Sequence, residues 1–259
     1  MSDKEVVTLF VEPPVAELTL NREGKRNALS EALLRAFESR IVSIGKRFPE
    51  VSVLIVRGAG PSFSAGADIG ELDQRSPGTL GAYIELGHHV FQLLKDSPFV
   101  AIAGLQGHVL GGGLELALAC DIRIAASNAK LGFPEINLGG IPGWGGTIRL
   151  PELIGRGRAT EMVLTGRVID ALTAHSFGLV NEVVPEDALQ AACSRLALTL
   201  ASKSPAALRL AKRALDVASP YGTDTQLAVE ESANLALMGE ATRVASLKGF
   251  ATTADQVTT

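Results

Sequence analysis

The apolar residues in the first part of the chain form short runs separated by segments with helical spacing. Val6 to Phe10 and Val15 to Leu20 predict two strands, joined as a hairpin across a proline-containing loop. A helix is predicted from an N-cap at Ser30 to Phe48. β-Branched residues predict a third strand from Val51 to Val56, and helical spacing returns from about Thr79 to Lys95.

The segment from Val100 to Asp121 combines three patterns: an apolar run, a group of glycines and a run of helix-forming residues. Val100 to Ala103 is a continuous apolar run, typical of a strand that is covered on both faces. Gly111 to Gly113 follow, and from Leu114 to Ala119 good helix formers predict a helix with Glu115 in its first turn. The first N–H groups of a helix have no partner within it and favour negative charge nearby.

The pattern after Asp121 predicts more strands and helices, and then helices alone. A second glycine cluster spans Gly139 to Gly146. The other predicted elements are a strand at Ile122 to Ala126, a strand or extended loop at Leu131 to Ile136, helices at Arg158 to Thr165 and Ala171 to Phe177, a strand at Leu179 to Val184, and helices at Glu186 to Ala201, Pro205 to Ala218, Thr223 to Met238 and up to Phe250. We therefore expect a mixed α/β core at 1–195 and a helical region at 196–259.

Composition and charge narrow the classes of function. Hydrophobic residues make up 46% of the 259 positions and charged residues 20%, which supports a well-buried core. The net charge of -4, without a Lys/Arg cluster, argues against nucleic acid as a partner. The start of the chain lacks an apolar signal region and no apolar run approaches about 18 residues, so no membrane span is expected. Cys120 and Cys193 lie in apolar helical patterns and favour buried thiols in a cytoplasmic protein.

Several familiar catalytic motifs do not match the chain. The spacing around Gly107 to Gly113 is not that of a dinucleotide fingerprint, and no glycine cluster ends in Gly-Lys-Ser/Thr. Ser62 lacks the final glycine of a nucleophile elbow. The four histidines have no zinc-ligand spacing, so no metal is expected, and His88 and His89 are interpreted as helix-surface residues.

Two glycine-rich turns and two nearby carboxylates remain as candidate chemistry. The turns contain Ala67 and Gly112, and the carboxylates belong to Glu115 and Glu135. Two converging main-chain N–H groups would stabilise a carbonyl oxygen that gains negative charge, as an oxyanion hole does. Two carboxylates in one dry pocket separate in proton affinity, so that one acts as base and the other as acid. The spacing alone does not show that these groups converge.

These motifs, in this order, resemble those of the enoyl-CoA hydratase/isomerase superfamily, the crotonases, and are most similar to a hydratase. The similar segments are Asn21 to Leu29, Ser64 to Ile69, Gly107 to Asp121, Phe133 to Ile136, Gly139 to Leu150 and Glu161 to Gly166. The resemblance implies a spiral of ββα units followed by a C-terminal helical trimerisation region. It also implies a homotrimer or a dimer of trimers.

Carried over by position, the resemblance implies an active site for an acyl-CoA substrate. The N–H groups of Ala67 and Gly112 would hold the thioester oxygen. Glu115 would act mainly on the water that adds to C3 of a 2-enoyl-CoA, and Glu135 mainly on the proton delivered to C2. Gly143 would help to hold the water. No cofactor is implied, because coenzyme A is part of the substrate.

The resemblance also implies a set of residues that contact the coenzyme A or the acyl group. They are Lys25, Arg26, Ala65, Asp68, Ile69, Leu138 and Trp144. Asp68 is favoured as the N-cap of a helix near Ile69, and Trp144 fits core packing as well as a pocket wall. The chain departs from many relatives at Gly70, where they carry lysine, and in its C-terminal run near Lys248, so phosphate contacts are expected to be rearranged.

Structural alternatives stay open for the central residues. Glu115 would complement the N-terminus of its own helix, and Glu135 would be a solvated loop acid. Gly112 would be a tight turn and Ala67 a packed alanine.

Hydration of a 2-enoyl-CoA is the leading hypothesis because both glutamates are present. The alternative is a Δ3,Δ2-enoyl-CoA isomerase, which needs one acid/base, here Glu135. A hydrolase, decarboxylase or lyase of the same superfamily is also open, since the fold does not set the reaction. A non-catalytic or RNA-binding member is disfavoured by the acidic balance.

Overall fold

A computed structural model describes residues 5–217 of the chain, together with Ser232 and Ala236. The chain divides into two units, Met1–Thr199 and Leu200–Thr259. Apart from those two positions, the helices predicted beyond residue 222 and Lys248 lie outside the described residues. A role of the C-terminal region in trimerisation stays a prediction.

The strands of the described residues form a six-stranded and a three-stranded sheet. They are β1 (Val7–Glu12), β2 (Val15–Leu20), β3 (Val53–Gly58), β4 (Val100–Leu105), β5 (His108–Leu110), β6 (Ile122–Ala126), β7 (Lys130–Gly132), β8 (Val168–Asp170) and β9 (Glu182–Val184). The larger sheet has the order β1-β2-β3-β4-β6-β9, in which only the β1-β2 pair is antiparallel. In the smaller sheet β7 pairs parallel with β5 and antiparallel with β8.

Helices follow most of these strands. They are α1 (Glu31–Gly45), α2 (Ile69–Leu72), α3 (Pro77–Lys95), α4 (Gly112–Ala119), α5 (Gly146–Ile154), α6 (Arg156–Thr165), α7 (Ala171–Phe177), α8 (Leu189–Ala201) and α9 (Pro205–Val217). Short 3₁₀ turns lie at Glu23–Lys25, Pro134–Leu138 and Glu186–Ala188. The prediction of a mixed α/β protein with helices towards its C-terminus is confirmed.

Local sequence signals account for many element boundaries. Ser30 is the N-cap of α1 and its hydroxyl accepts a hydrogen bond from the N–H of Leu33, as predicted. That helix ends at Gly45 and not at Phe48. The β4 strand is buried along its whole length, because β3 and β6 flank it in the sheet and side chains cover both faces.

The glycine-rich part of the second half departs most from the predictions. The segment predicted as a strand or extended loop at Leu131 to Ile136 is the short β7 followed by a 3₁₀ turn. The α5 helix and the three-residue strands β5 and β8 are not predicted at all. The α5 helix is not predicted because glycine and proline have low helix propensity. Three glycines lie before or at its first residue, and Pro151 lies inside it. The predicted strand from Leu179 is shorter, because only Glu182–Val184 pairs with β6.

Other surface and core expectations agree with the structure. Cys120 and Cys193 are buried free thiols, and His88 and His89 are exposed on α3. Within the described residues, no helix is long and apolar enough to cross a membrane.

The buried side chain of Asn27 fixes the loop that leads to the first glycine-rich turn. Its Nδ2 group donates to the carbonyl oxygens of Ala59 and Ser62 at 2.9 and 2.8 Å, and its Oδ1 accepts from the N–H of Arg22 at 3.0 Å. Its own carbonyl accepts from the Ser64 hydroxyl at 2.9 Å. Asn27 also has a φ of 55°, a conformation that asparagine tolerates better than most residues. One side chain therefore ties the Arg22 loop to the segment before Ala67.

We predict that Asn27→Ala lowers the free energy of unfolding by about 2–4 kcal/mol, because it leaves buried carbonyl and N–H groups without partners. Urea denaturation measures this change. Asn21→Ala is the matched control, since the Asn21 side chain donates one exposed bond to Glu5, and its effect should stay within about 0.5 kcal/mol. Equal losses in the two variants would contradict the role of Asn27.

Candidate active site

The two glycine-rich turns meet backbone to backbone. The segment around Ser64 runs alongside β5. The Ser64 N–H donates to His108 O at 2.9 Å, and the Ser64 carbonyl accepts from Leu110 N at 3.0 Å. Gly66 has a φ of +96°, and a Cβ placed on it would lie 2.7 Å from Leu110 O and 3.2 Å from Gly112 N. Only glycine permits that approach. It places Ala67, the next residue, beside the start of α4.

The N–H groups of Ala67 and Gly112 donate no hydrogen bond to any described residue. Gly112 is the first residue of α4, where helix geometry leaves an N–H without an internal partner. Gly111 before it has a φ of +52°, so the chain turns sharply into the helix. Two donors are thus available in neighbouring turns, and the helix adds partial positive charge at one of them.

Glu115 lies in the first turn of α4, but its carboxylate is bound by another helix. Oε1 accepts from the N–H groups of Trp144 at 2.6 Å and Gly146 at 2.8 Å, at the start of α5. The side chain is 1% exposed. Burial raises the pKa of Glu115, while the backbone N–H groups of Gly146, Trp144 and Gly143 act in the opposite direction. The carboxylate is therefore held in a dry place with donors that match its charged form.

Glu135 belongs to the 3₁₀ turn Pro134–Leu138 and lies against Gly111, in the turn that precedes α4. A Cβ on Gly111 would be 2.7 Å from Glu135 Oε1, so glycine is needed there for the contact. Its Oε2 is buried without a hydrogen-bond partner among the described residues. Burial, with a smaller contribution from the charge of Glu115, raises the pKa of Glu135 to about 7. The interpretation as a solvated loop acid does not fit this environment.

The two carboxylates consequently differ in what surrounds them. Glu115 has two short N–H contacts that favour its ionised form, whereas the buried Oε2 of Glu135 has none. A group with a pKa near neutral can take up and release a proton readily. Burial raises the pKa of both carboxylates, so a division into one base and one acid stays a prediction.

Trp144 joins the turn at Gly112 to α3. Its ring is 3% exposed and packs edge to face on Tyr83 and Phe91, with centroids 5.1 and 5.6 Å apart. A Cβ on Gly112 would lie 2.3 Å from its Cζ3 atom. The ring thus packs in the core and also covers Gly112, and a role as a pocket wall stays a prediction.

The other predicted contact residues lie on the surface around the first turn or near Glu135. Asp68 caps α2 by accepting from Gly70 N at 3.1 Å and pairs with Arg22 at 2.9 Å, so its capping role is confirmed. Lys25 and Arg26 are exposed, and Arg26 O accepts from the N–H of Ala65 at 2.9 Å.

Two apolar side chains in this set are unusually open to solvent. Ile69 is 61% exposed and Leu138 is 70% exposed, and Gly143 is partly exposed. Contact of these residues with a substrate stays a prediction.

Sequence reasoning missed Arg149 and Tyr83. Arg149 lies on α5 and donates to Trp144 O at 2.8 Å, and its charge opposes part of the rise that burial causes in the pKa of Glu115. The Tyr83 hydroxyl on α3 donates to Leu29 O. Burial raises the pKa of Tyr83, so the hydroxyl stays a donor. Predicting α5 would have pointed to Arg149, whereas nothing local in the sequence indicates the contact of Tyr83.

No group of three or more His, Cys, Asp or Glu side chains in the described part of the chain is arranged to hold a metal ion.

Comparison with known proteins identifies relatives along most of the chain. A family described as enoyl-CoA hydratase/isomerase matches residues 11–257. A crotonyl-CoA hydratase from Syntrophomonas wolfei is 39% identical over 230 residues, 88% of each chain. A short-chain-enoyl-CoA hydratase from Clostridium acetobutylicum is 40% identical over 228 residues, 88% of this chain and 87% of the relative. The crystal structure of an enoyl-CoA hydratase from Bacillus anthracis superimposes with a TM-score of 0.92, at 37% identity and covering 96% of each chain.

We predict that Glu135→Gln stabilises the protein at pH 8. The folded-state pKa of about 7 lies above the ordinary value of 4.5, so stability falls as pH rises between these values and the buried group ionises. Glutamine cannot ionise, so thermal denaturation at pH 8 should give a Tm higher by at least about 2 °C. The difference should shrink towards pH 5.

Glu152→Gln is the control for this measurement, because Glu152 is exposed on α5. It should show no comparable gain at pH 8. A Glu135→Gln variant whose Tm difference does not depend on pH would contradict the raised pKa of Glu135.

Proposed function

The chain belongs to the enoyl-CoA hydratase/isomerase family, and from that premise we propose that it hydrates a 2-enoyl-CoA thioester to the 3-hydroxyacyl-CoA. Its relatives identify it as an enzyme of the hydratase type. One observation carries the proposal: two carboxylates in unequal environments lie beside two N–H groups that have no partner among the described residues.

The thioester oxygen accepts hydrogen bonds from the N–H groups of Ala67 and Gly112. Adding water at C3 moves negative charge onto that oxygen, because the intermediate is an enolate. Donors fixed by the fold stabilise this charge without reorganising, and losing one such donor typically costs about 10²- to 10³-fold in rate. The position of Gly112 at the start of α4 adds the helix dipole to the same oxygen.

Glu115 and Glu135 divide the proton transfers. Ionised Glu115 accepts a proton from water as the oxygen forms its bond to C3, and protonated Glu135 donates to C2 as the enolate collapses. The Gly143 N–H helps to hold the water. After hydration Glu115 carries a proton and Glu135 does not, so the starting state returns by proton exchange. The raised pKa of Glu135 supports its role as acid near neutral pH.

Coenzyme A binds as part of the substrate, and no separate cofactor takes part. Its phosphates are negatively charged, so basic side chains are suited to bind them. Lys25 and Arg26 are exposed and directly precede Asn27 in the chain. The hydrogen bond from Ala65 N to Arg26 O links that loop to the turn holding Ala67. Ile69 and Leu138 offer exposed apolar surface for the rest of the ligand.

A homotrimer or dimer of trimers is part of the same proposal. Support comes from large apolar side chains that are open to solvent in the single chain, including Ile148, Leu164 and Leu172 at 63, 65 and 72% exposure. A cytoplasmic location is proposed with it, in keeping with two free cysteines.

A Δ3,Δ2-enoyl-CoA isomerase is the second candidate function. One group that takes a proton from one carbon and returns it to another is sufficient for that reaction. The unpartnered Oε2 of Glu135 and its pKa of about 7 favour this possibility.

We predict that the protein removes the conjugated thioester absorbance of crotonyl-CoA, and that Glu115→Gln and Glu135→Gln each lose at least about 10²-fold in kcat. Circular dichroism checks that both variants fold. Glu161→Gln, at an exposed position on α6, is the matched control and should retain activity.

Full activity of Glu115→Gln on crotonyl-CoA would contradict the two-carboxylate mechanism. In that case 3-enoyl-CoA should be tested as the substrate, and its conversion to the 2-enoyl isomer would favour the isomerase.

A further inference from the structure

Two glycines on different helices make the slot that holds the Trp144 indole. A Cβ on Gly87 of α3 would lie 2.2 Å from Nε1, and a Cβ on Gly112 of α4 would lie 2.3 Å from Cζ3. Gly87 is inside a long helix and does not have a positive φ, so backbone conformation does not require glycine there. The space that the indole needs explains it.

Trp144 contacts two of the groups that are proposed to act on the substrate. Its six-membered part covers Gly112, whose N–H is one of the two oxyanion donors, and its pyrrole part packs on Gly87. The backbone N–H of the same residue donates to Glu115 Oε1 at 2.6 Å. The indole therefore packs between α3 and the turn that carries one oxyanion donor, while the backbone of the same residue binds Glu115.

The binding mode proposed above brings the acyl chain close to Trp144. Its carbonyl oxygen is bound at Ala67 and Gly112, and its C2 and C3 atoms must reach Glu135 and Glu115. In the binding mode proposed above, the carbons that follow C3 run towards the indole, whose ring is 3% exposed. Tyr83 and Phe91 support the ring from behind, so it cannot retreat without disturbing the core.

We propose that Trp144 is the end wall of the acyl site and limits the enzyme to short, crotonyl-length 2-enoyl-CoA thioesters; this inference rests on the hydratase function proposed above. If this position only filled the core, leucine or phenylalanine would do so without burying a polar group. The indole instead buries an Nε1 group that has no partner among the described residues.

The first test compares kcat/KM for crotonyl-, 2-hexenoyl- and 2-octenoyl-CoA. The wild-type enzyme should use octenoyl-CoA at least about tenfold less well than crotonyl-CoA, and Trp144→Ala should raise the octenoyl-to-crotonyl ratio about tenfold or more. Adding Gly87→Leu to Trp144→Ala should lower the ratio again, because a side chain at position 87 grows into the space that the indole left. Phe37→Leu, a buried aromatic change on α1, should keep the wild-type ratio.

The second test uses the wild-type protein and does not depend on a variant folding. Trp144 is the single tryptophan of the chain, so its fluorescence reports on this site alone. Saturating butyryl-CoA, which cannot be hydrated, should change the emission, whereas coenzyme A without an acyl group should leave it nearly unchanged.

The outcomes separate this inference from the function it rests on. If the wild-type enzyme hydrates crotonyl-CoA but a folded Trp144→Ala keeps its chain-length ratio within about twofold, the end-wall role is wrong and the hydratase function stands. The same conclusion follows if butyryl-CoA and coenzyme A change the emission equally. If the wild-type enzyme hydrates none of the three substrates, the hydratase function and the end wall are both overturned.

Discussion

The close approach of two backbone turns is the constraint on which the rest of the site depends. Gly66 lies so near Gly112 N and Leu110 O that any side chain at position 66 would collide with the backbone. The contact is held by hydrogen bonds between the Ser64 segment and β5, and from the other side by the buried Asn27. It leaves the Ala67 and Gly112 N–H groups in neighbouring turns without partners among the described residues, and the proposed mechanism uses both as donors to the thioester oxygen.

A second consequence of this packing is that the two glutamates are not equivalent. The start of α5 supplies N–H groups to Glu115 and so offsets part of the cost of burying its charge. Glu135 is pressed against Gly111 with a buried oxygen that no described residue satisfies. Buried groups without partners are costly and uncommon, and they recur where chemistry requires a proton to move. The fold thus keeps an unfavourable buried oxygen on Glu135, the residue that the proposed reaction uses as a neutral acid.

The sequence predicts local features well and non-local ones poorly. Ser30 and Asp68 are recognisable as caps because capping depends on neighbouring residues, and the apolar run of β4 indicates a buried strand by itself. The candidate site residues come from motif resemblance, since spacing does not show that Ala67 and Gly112 meet. The α5 helix is hidden by glycines at its start. The fit of Trp144 against Gly87 depends on the packing of α3 on α4, which no local pattern encodes.

The most direct test of the account is a crystal structure of the protein with acetoacetyl-CoA, a thioester whose enolised form carries charge on oxygen. The account predicts the thioester oxygen at about 2.7–3.1 Å from both the Ala67 and the Gly112 nitrogen atoms. It also predicts that C2 and C3 of the ligand face Glu135 and Glu115. A thioester oxygen bound elsewhere, with either N–H group left without the ligand, would contradict the oxyanion hole and the mechanism built on it.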